Sequence, residues 1–269
     1  NIPLFDGQTL RDHFGQERTP EAANPWDGAD VFIASSQLAK RREHQVSLLA
    51  TRPWDMVVVD EAHHARRKDF LTNRYRPNRL LELLMGRDDQ PGLKDRTQGL
   101  LLMTATPMQV HPVEVWDLLR VLGLGGKWGS SDAPFLRFFQ ELRRPFEDAD
   151  WDFVFGLVRD YLDTDGQFDP LFARQAEAQL GLVDWQHLKS LVSTQERGIR
   201  LNHLPPTAQA LVVEMARRHT PLRRYLFRST RRLLREYAKR GILHDTVPRR
   251  DSHPVWVDMR PEEQDLYNR

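Results

Sequence analysis

The sequence predicts an α/β fold in which a parallel sheet is followed by a mostly helical subdomain. Before residue 130, helical stretches separate short apolar segments without polar alternation, which are typical of strands buried on both faces. This order of strands and helices implies right-handed crossovers between parallel strands. Between residues 133 and 245, leucines and aromatic residues recur at helical spacing, which predicts helices.

The individual elements follow from the same patterns. The predicted strands are residues 31–34, 55–60, 99–103 and 254–259. The predicted helices of the first half are residues 37–50, 78–85 and 112–122. Proline is well tolerated in the first turn of a helix, so we expect the last of these to begin at Pro112. We expect four tryptophans to lie in the core rather than to stack on bases: Trp116, Trp151, Trp185 and Trp256.

The composition excludes several classes of protein. The chain has 269 residues, of which 40% are hydrophobic and 29% charged, so it is neither disordered nor collagen-like. No apolar segment approaches the roughly 20 residues of a membrane helix, and no signal-peptide pattern is present. The absence of cysteine excludes disulfides, thiolate metal ligands and a cysteine nucleophile. We expect a cytoplasmic location and no membrane partner.

Charge is balanced overall but unevenly distributed. The formal net charge is +1, from 39 basic and 38 acidic residues. Residues 141–196, here called the acidic segment, hold 5 basic and 12 acidic side chains, a balance of −7. Residues 217–250, the basic segment, hold 12 basic and 2 acidic side chains, a balance of +10. The basic segment makes nucleic acid the first partner to consider.

Four arginines of the basic segment have the spacing of one helix face. They recur at i, i+4, i+7 and i+11: Arg224, Arg228, Arg231 and Arg235. We expect a helix that begins near Pro221 and presents these side chains to nucleic-acid phosphates. Two alternatives stay open, namely a solvated basic face and arginines that pair with the acidic segment.

The strongest chemical signal is a pair of adjacent carboxylates, Asp60 and Glu61, directly after three valines. Ligands bind at the carboxyl ends of parallel strands in open α/β sheets. There Asp60 can hold a nucleotide-bound Mg²⁺ through water, and Glu61 can orient or deprotonate the water that attacks the γ-phosphate. Adjacent histidines cannot both reach one metal ion from a regular element, so we expect His63 to form hydrogen bonds and His64 to be a polar loop residue.

These residues resemble the DEAH motif of superfamily 2 helicases and translocases. Residues 101–109, Leu-Leu-Met-Thr-Ala-Thr-Pro-Met-Gln, are similar to motif III of that superfamily and follow the next predicted strand. The resemblance implies that Thr104, Ala105, Thr106 and Gln109 couple the nucleotide site to the nucleic-acid track. It also implies that His63 connects the hydrolysis site to motif III.

Within the superfamily the chain resembles the Swi/Snf-like branch, and its bacterial members in particular. The similar segments are Trp54-Asp55, residues 60–66, residues 115–119, Phe227-Arg228-Ser229-Thr230-Arg231, residues 247–250 and residues 264–267. Residues 34–38 resemble motif Ib, which implies that Ser35 and Ser36 contact DNA. One departure is Val110-His111, where many members have an asparagine.

The resemblance also implies a domain organisation and a set of partners. Residues 1–129 would be the later part of a first RecA-like lobe, residues 130–250 a helical insertion, and residues 251–269 the start of a second lobe. The full-length protein would use ATP and Mg²⁺, with Asp60 as the metal-linked carboxylate, and would move along double-stranded DNA. The helical insertion offers a surface for a protein partner.

The phosphate-binding loop of the superfamily is missing from the sequence. The pair Gly126-Lys127 does not qualify, since Trp128 follows it and Val121 occupies the first glycine position. The chain begins at Asn1, so we expect this loop upstream and the second lobe downstream. The chain alone is therefore expected neither to bind nor to hydrolyse ATP.

Two other functions remain open at this stage. One is a strand-separating DEAH-type helicase that acts on RNA or DNA, which the long helical insertion and the segment at residues 227–231 disfavour. The other is a non-catalytic interaction module, in which residues 130–245 dock a protein partner.

Overall fold

The computed structural model describes most of the chain, in two compact units. The described residues are 4–5, 24–28, 30–68, 76–87, 90–165, 167–194, 199, 201–243, 248, 251, 253–256 and 259–267. The first unit is Asn1–Tyr225 and the second is Leu226–Arg269. The domain boundaries expected from the family resemblance stay a prediction.

The strands of the described residues form three separate pairs. Strand β1 (Leu4–Phe5) is parallel to β2 (Ile33–Ala34), β3 (Trp54–Val59) is parallel to β6 (Thr97–Leu102), and β4 (Gly86–Arg87) is antiparallel to β5 (Gln90–Pro91). In the β3–β6 pair, Val59 lies beside Leu102. The loops that follow β3 and β6 therefore begin at the same edge of the sheet.

The predicted parallel α/β architecture is confirmed, but two expectations about strands are wrong. Met56, Val58 and Leu101 are 57%, 51% and 43% exposed, so this face of the β3–β6 sheet is not buried. On the other face, Val59 and Leu102 pack against a hydrophobic cluster that includes Leu81 and Leu84.

The second expectation concerns the predicted strand 254–259. Residues 254–256 and 259 lie outside any strand, and 257–258 lie outside the described residues. In the described part of the second unit no strand is available for these residues to pair with. Trp256 is accordingly 91% exposed, whereas Trp116, Trp151 and Trp185 are buried as predicted.

Local sequence signals such as capping residues explain where helices in the first half of the chain begin and end. These helices are α1 (Ser36–Ala39), α2 (Arg42–Ala50), α3 (Arg79–Met85) and α4 (Val113–Val121). The predicted helix 37–50 is interrupted at residues 40–41, so it forms α1 and α2. Asn78 caps α3 by accepting the N–H groups of Leu80 and Leu81 at 3.1 and 3.0 Å, and Gly86 ends that helix with a φ of 86°.

The described residues between 133 and 245 are mostly helical, as predicted, and further helices lie on either side of this range. These helices are α5 (Gly126–Ser130), α6 (Asp132–Glu141), α7 (Trp151–Asp165), α8 (Pro170–Leu180), α9 (Leu182–Ser193), α10 (Pro206–Arg218), α11 (Leu222–Tyr225), α12 (Arg231–Lys239) and α13 (Pro261–Tyr267). None of the described helices is long and apolar enough to cross a membrane.

The predicted continuous helix through the basic segment is wrong. Helix α11 ends at Tyr225, and α12 begins only at Arg231. The new start has a local cause, because the Thr230 hydroxyl accepts the Leu233 N–H at 3.2 Å and caps α12. Of the four arginines expected on one face, only Arg231 and Arg235 share a helix, while Arg224 lies in α11 and Arg228 between the two helices.

Helix α4 is shared by two hydrophobic clusters of the first unit. The sheet cluster includes Leu81 and Leu84, with Val59 and Leu102 packed against it, and α4 contributes Leu118 and Val121 to it. The helical cluster includes Trp128, Phe138 and Phe155, and α4 contributes Val113, Trp116 and Leu119 to it. The apolar residues of this amphipathic helix thus pack in both the sheet cluster and the helical cluster.

Candidate functional site

The loops after β3 and β6 meet through backbone hydrogen bonds beyond the strand ends. The Met103 N–H donates to the Val59 carbonyl at 2.8 Å, and the Ala62 N–H donates to the Met103 carbonyl at 2.9 Å. We call residues 60–68 the first loop and residues 103–111 the second loop. The family resemblance implied a link between His63 of the first loop and the motif III-like second loop, and the parallel pairing of β3 with β6 explains why the two loops lie together.

Glu61 is held in an uncommon backbone conformation. Its φ is 49° and its ψ 44°, and it is the only non-glycine residue with positive φ in the described part of the chain. Such a conformation costs on the order of 1–3 kcal/mol, so neighbouring contacts must enforce it. Ala62 and Ala65 are 0% and 1% exposed and anchor the loop in the sheet cluster. The Glu61 N–H also donates to Asp60 Oδ1 at 2.8 Å.

His63 joins the carboxylate of the first loop to the hydroxyl of the second. Its Nδ1 lies 3.1 Å from Glu61 Oε2 and 3.0 Å from Thr104 Oγ1. Thr104 Oγ1 also accepts the Thr106 N–H at 3.1 Å, and Gln109 Nε2 donates to Thr106 Oγ1 at 3.3 Å. The expected contact between His63 and motif III is therefore present. The catalytic and coupling roles of these residues stay predictions.

Sequence reasoning missed Glu114, a buried carboxylate in the first turn of α4. Its Oε2 accepts the N–H groups of Gln109, Val110 and His111 at 2.7, 3.0 and 3.5 Å. Its Oε1 forms an ion pair with Arg66 Nη1 at 3.5 Å. Burial raises the pKa of this carboxyl, but the three N–H groups and Arg66 outweigh burial and hold the pKa below its ordinary value. A glutamate two residues after Pro112 was the available signal.

Arg67 connects the first loop to the helical cluster. Its Nε and Nη2 bind both carboxylate oxygens of Asp117 at 2.9 and 2.7 Å, and its Nη1 binds Asp132 at 2.6 Å. The guanidinium also lies 5.6 Å from the ring centre of Trp116. Burial lowers the pKa of Arg67, but the two carboxylates outweigh it and raise the pKa above the ordinary value. Burial also raises the pKa of the Asp117 carboxyl, and the hydrogen bonds from Arg67 oppose that shift. The ion pairs of Arg67 link α4 and α6 to the first loop.

The remaining predicted residues lie elsewhere in the structure. The Ser35 hydroxyl caps α1 by accepting the Leu38 N–H at 3.2 Å, and Ser36 is the first residue of that helix. Because β2 pairs with β1 and not with β3, the described sheets do not bring these two serines to the edge that carries Asp60. The contact with DNA expected for them is untested.

Part of the basic segment pairs with the acidic segment, as one alternative proposed. Arg218 and Arg223 bind the buried carboxylate of Asp169 at 3.5 and 2.7 Å. Burial raises the pKa of Asp169, but hydrogen bonds outweigh it and lower the pKa, the largest contribution coming from Arg223. Arg224, Arg228, Arg231 and Arg235 are exposed.

Comparison with known proteins identifies the family. A family model described as the SNF2-related domain matches residues 15–269, which is nearly the whole chain. The chain belongs to the SNF2-related domain family. The resemblance to Swi/Snf-like proteins, inferred from the motifs at residues 60–66 and 101–109, is thereby confirmed.

The alignments with similar curated proteins cover less than half of this chain. These proteins include the RNA polymerase-associated protein RapA of Erwinia tasmaniensis, 30% identical over 119 residues, and that of Vibrio campbellii, 29% identical over 122 residues. The alignments cover 44% and 45% of this chain, and 11% of each relative. The RapA of Yersinia pestis is 30% identical over 102 residues, 38% of this chain and 9% of the relative. The matched segments thus span about a tenth of the length of these relatives.

Arg67 should contribute strongly to the stability of the first unit. Its replacement by alanine leaves the carboxylate of Asp117, which is 1% exposed, buried without its partner. We expect Arg67→Ala to lower the free energy of unfolding by about 3–5 kcal/mol, the usual loss for a broken buried ion pair. Urea unfolding of the chain, followed by tryptophan fluorescence, measures this difference.

Arg240→Ala is the matched control. Arg240 pairs with Glu236 at 3.0 Å on the surface of α12, where both side chains are largely exposed. An exposed pair of this kind contributes at most about 1 kcal/mol. Equal losses in the two variants would contradict the structural role assigned to Arg67.

Proposed function

We propose that this chain is part of an ATP-dependent motor that moves along double-stranded DNA. One observation carries the proposal, namely that His63 joins Glu61 of the DEAH-like loop to Thr104 of the motif III-like loop. Membership of the SNF2-related domain family supports an ATPase in the full-length protein. A motor requires a contact of this kind, because ATP hydrolysis must alter the contacts with the DNA. His63 would provide it by touching both Glu61 and the second loop.

Asp60 and Glu61 are suited to the two tasks proposed for them. Both carboxylates are exposed at the carboxyl edge of the β3–β6 sheet, where a nucleotide and water can reach them. Mg²⁺ prefers oxygen ligands and keeps several waters, so the exposed Asp60 carboxylate fits a water-mediated contact. When bound, this ion neutralises charge on the nucleotide phosphates. Glu61 would orient the attacking water, and His63 would fix the position of the Glu61 carboxylate.

Thr104, Ala105, Thr106 and Gln109 would transmit the state of the hydrolysis site. The hydroxyls of Thr104 and Thr106 can each both donate and accept, so their hydrogen bonds can change partners. Ser35, Ser36 and the exposed arginines would contact the phosphate backbone, with little base readout. We also propose a cytoplasmic location. The relatives named as RNA polymerase-associated make RNA polymerase a candidate protein partner for the helical region.

Glu61→Gln tests the proposed hydrolysis role in the full-length protein. The substitution keeps the shape of the side chain but removes its ability to take a proton. We expect ATP turnover to fall by about 10²–10⁴-fold, the range for a lost general base, while ATP binding is preserved. Turnover at the parental rate would show that Glu61 does not activate the water.

The control variant is Glu177→Gln, at an exposed position of α8. It should turn over ATP at the parental rate. The same assay, repeated with duplex DNA, single-stranded DNA and RNA, separates the candidate functions. A duplex translocase is stimulated by duplex DNA, a strand-separating helicase is stimulated best by single strands or RNA, and an interaction module has no ATPase activity.

Arg228, Arg231 and Arg235 test the proposed track contact. All three are exposed in the second unit, and phosphate contacts depend steeply on salt. We expect their joint replacement by alanine to weaken binding to all duplexes alike. If each contacts one phosphate, the slope of log K against log salt should fall by about 2.7, at about 0.9 per phosphate.

Arg223→Ala is the matched control for this measurement, because Arg223 is bound to Asp169. It should lower stability and leave the salt slope unchanged. An unchanged slope in the triple variant would show that its three arginines do not contact phosphates.

A further inference from the structure

Glu114 joins both loops of the candidate site from one buried position. Its side chain is 4% exposed, and one carboxylate oxygen accepts three consecutive backbone N–H groups of the second loop. The other oxygen pairs with Arg66 of the first loop. Arg66 Nη1 also donates to Gln109 Oε1 at 3.4 Å. The carboxylate is thus a common acceptor for the two loops.

The donors of these hydrogen bonds show that Glu114 does more than cap the first turn of α4. A carboxylate in the first helical turn usually accepts the free N–H groups of its own helix. Here the donors are Gln109, Val110 and His111, all of which precede α4. The contact therefore fixes the conformation of the second loop against the helix.

Fixing this loop also fixes the position of Thr104. Gln109, whose N–H Glu114 accepts at 2.7 Å, donates from its side chain to Thr106, and the Thr106 N–H donates to the Thr104 hydroxyl. The same hydroxyl lies 3.0 Å from His63. A continuous set of hydrogen bonds thus runs from Glu114 to the residue that contacts Glu61.

We propose that Glu114 is a positioning residue, which holds the second loop and Arg66 so that Thr104 stays in contact with His63. The proposal rests on the function proposed above, because it assigns Glu114 to the coupling of that site. Glu114 itself touches neither nucleotide nor water. Its loss should therefore reduce duplex-stimulated turnover through kcat and leave the KM for ATP nearly unchanged.

The test compares three variants of the full-length protein. Glu114→Ala removes the acceptor, whereas Glu114→Gln keeps one oxygen for the N–H groups and loses the charge that faces Arg66. Glu141→Ala is the control, since Glu141 is another buried glutamate and accepts the Asp150 N–H at 2.9 Å, far along the chain from both loops. Amide hydrogen exchange of a peptide spanning residues 104–111 reports the loop directly, and steady-state kinetics with duplex DNA report the coupling.

For Glu114→Ala we expect exchange in residues 109–111 to be at least about tenfold faster, since hydrogen bonds to charged acceptors are the stronger ones. We expect duplex-stimulated kcat to fall by about 10- to 100-fold, in line with the cost of small misplacements near reacting groups. Glu114→Gln should be intermediate in both measurements. Glu141→Ala should match the parent in both.

Three outcomes would overturn the proposal. These are parental exchange in the loop, parental kcat despite a faster-exchanging loop, and equal acceleration throughout α4 and the helical cluster in both Glu114 variants. A parent protein without ATPase activity would instead refute the proposed function, and the exchange measurement would still decide whether Glu114 fixes the loop.

Discussion

Two consecutive arginines hold the candidate site onto one helix, and the rest of the arrangement depends on these ion pairs. Arg66 and Arg67 of the first loop bind Glu114 and Asp117, which lie three residues apart and therefore on one face of α4. Both carboxylates are buried, and a buried charge without a partner is strongly destabilising. The first loop therefore cannot leave α4 without a large loss of stability.

The position of α4 explains why this attachment affects the whole first unit. The helix packs in the sheet cluster through Leu118 and in the helical cluster through Trp116. Arg67 adds an ion pair to Asp132 at the start of α6. A movement of the helical region would consequently displace the first loop, which carries Asp60 and Glu61. In a motor, this connection would allow the helical region to respond to the nucleotide state.

Much of the site could be predicted from the sequence because it depends on local patterns. Apolar strands followed by Asp60 and by Thr104 indicated parallel strand ends, and the β3–β6 register brings these residues to one edge. The ion pairs of Arg66 with Glu114 and of Arg67 with Asp117 could not be predicted, because the two partners lie 48 and 50 residues apart in the sequence. The interruption before α12 was not predicted, because the spacing of the arginines fits one continuous helix and does not report the Thr230 cap. The exposure of Met56 and Val58 depends on which elements cover the sheet, and periodicity does not report that.

We propose that the first loop and the second loop act as one unit through the contact between His63 and Thr104. A double-mutant cycle on duplex-stimulated ATP turnover of the full-length protein tests it most directly, with His63→Ala, Thr104→Val and the double variant. If the contact carries the coupling, each single variant lowers kcat and the double variant is no slower than the slower single one. The corresponding interaction free energy would be about 1–3 kcal/mol. If the fold-decreases in kcat of the two single variants multiply in the double variant, the contact between His63 and Thr104 does not carry the coupling.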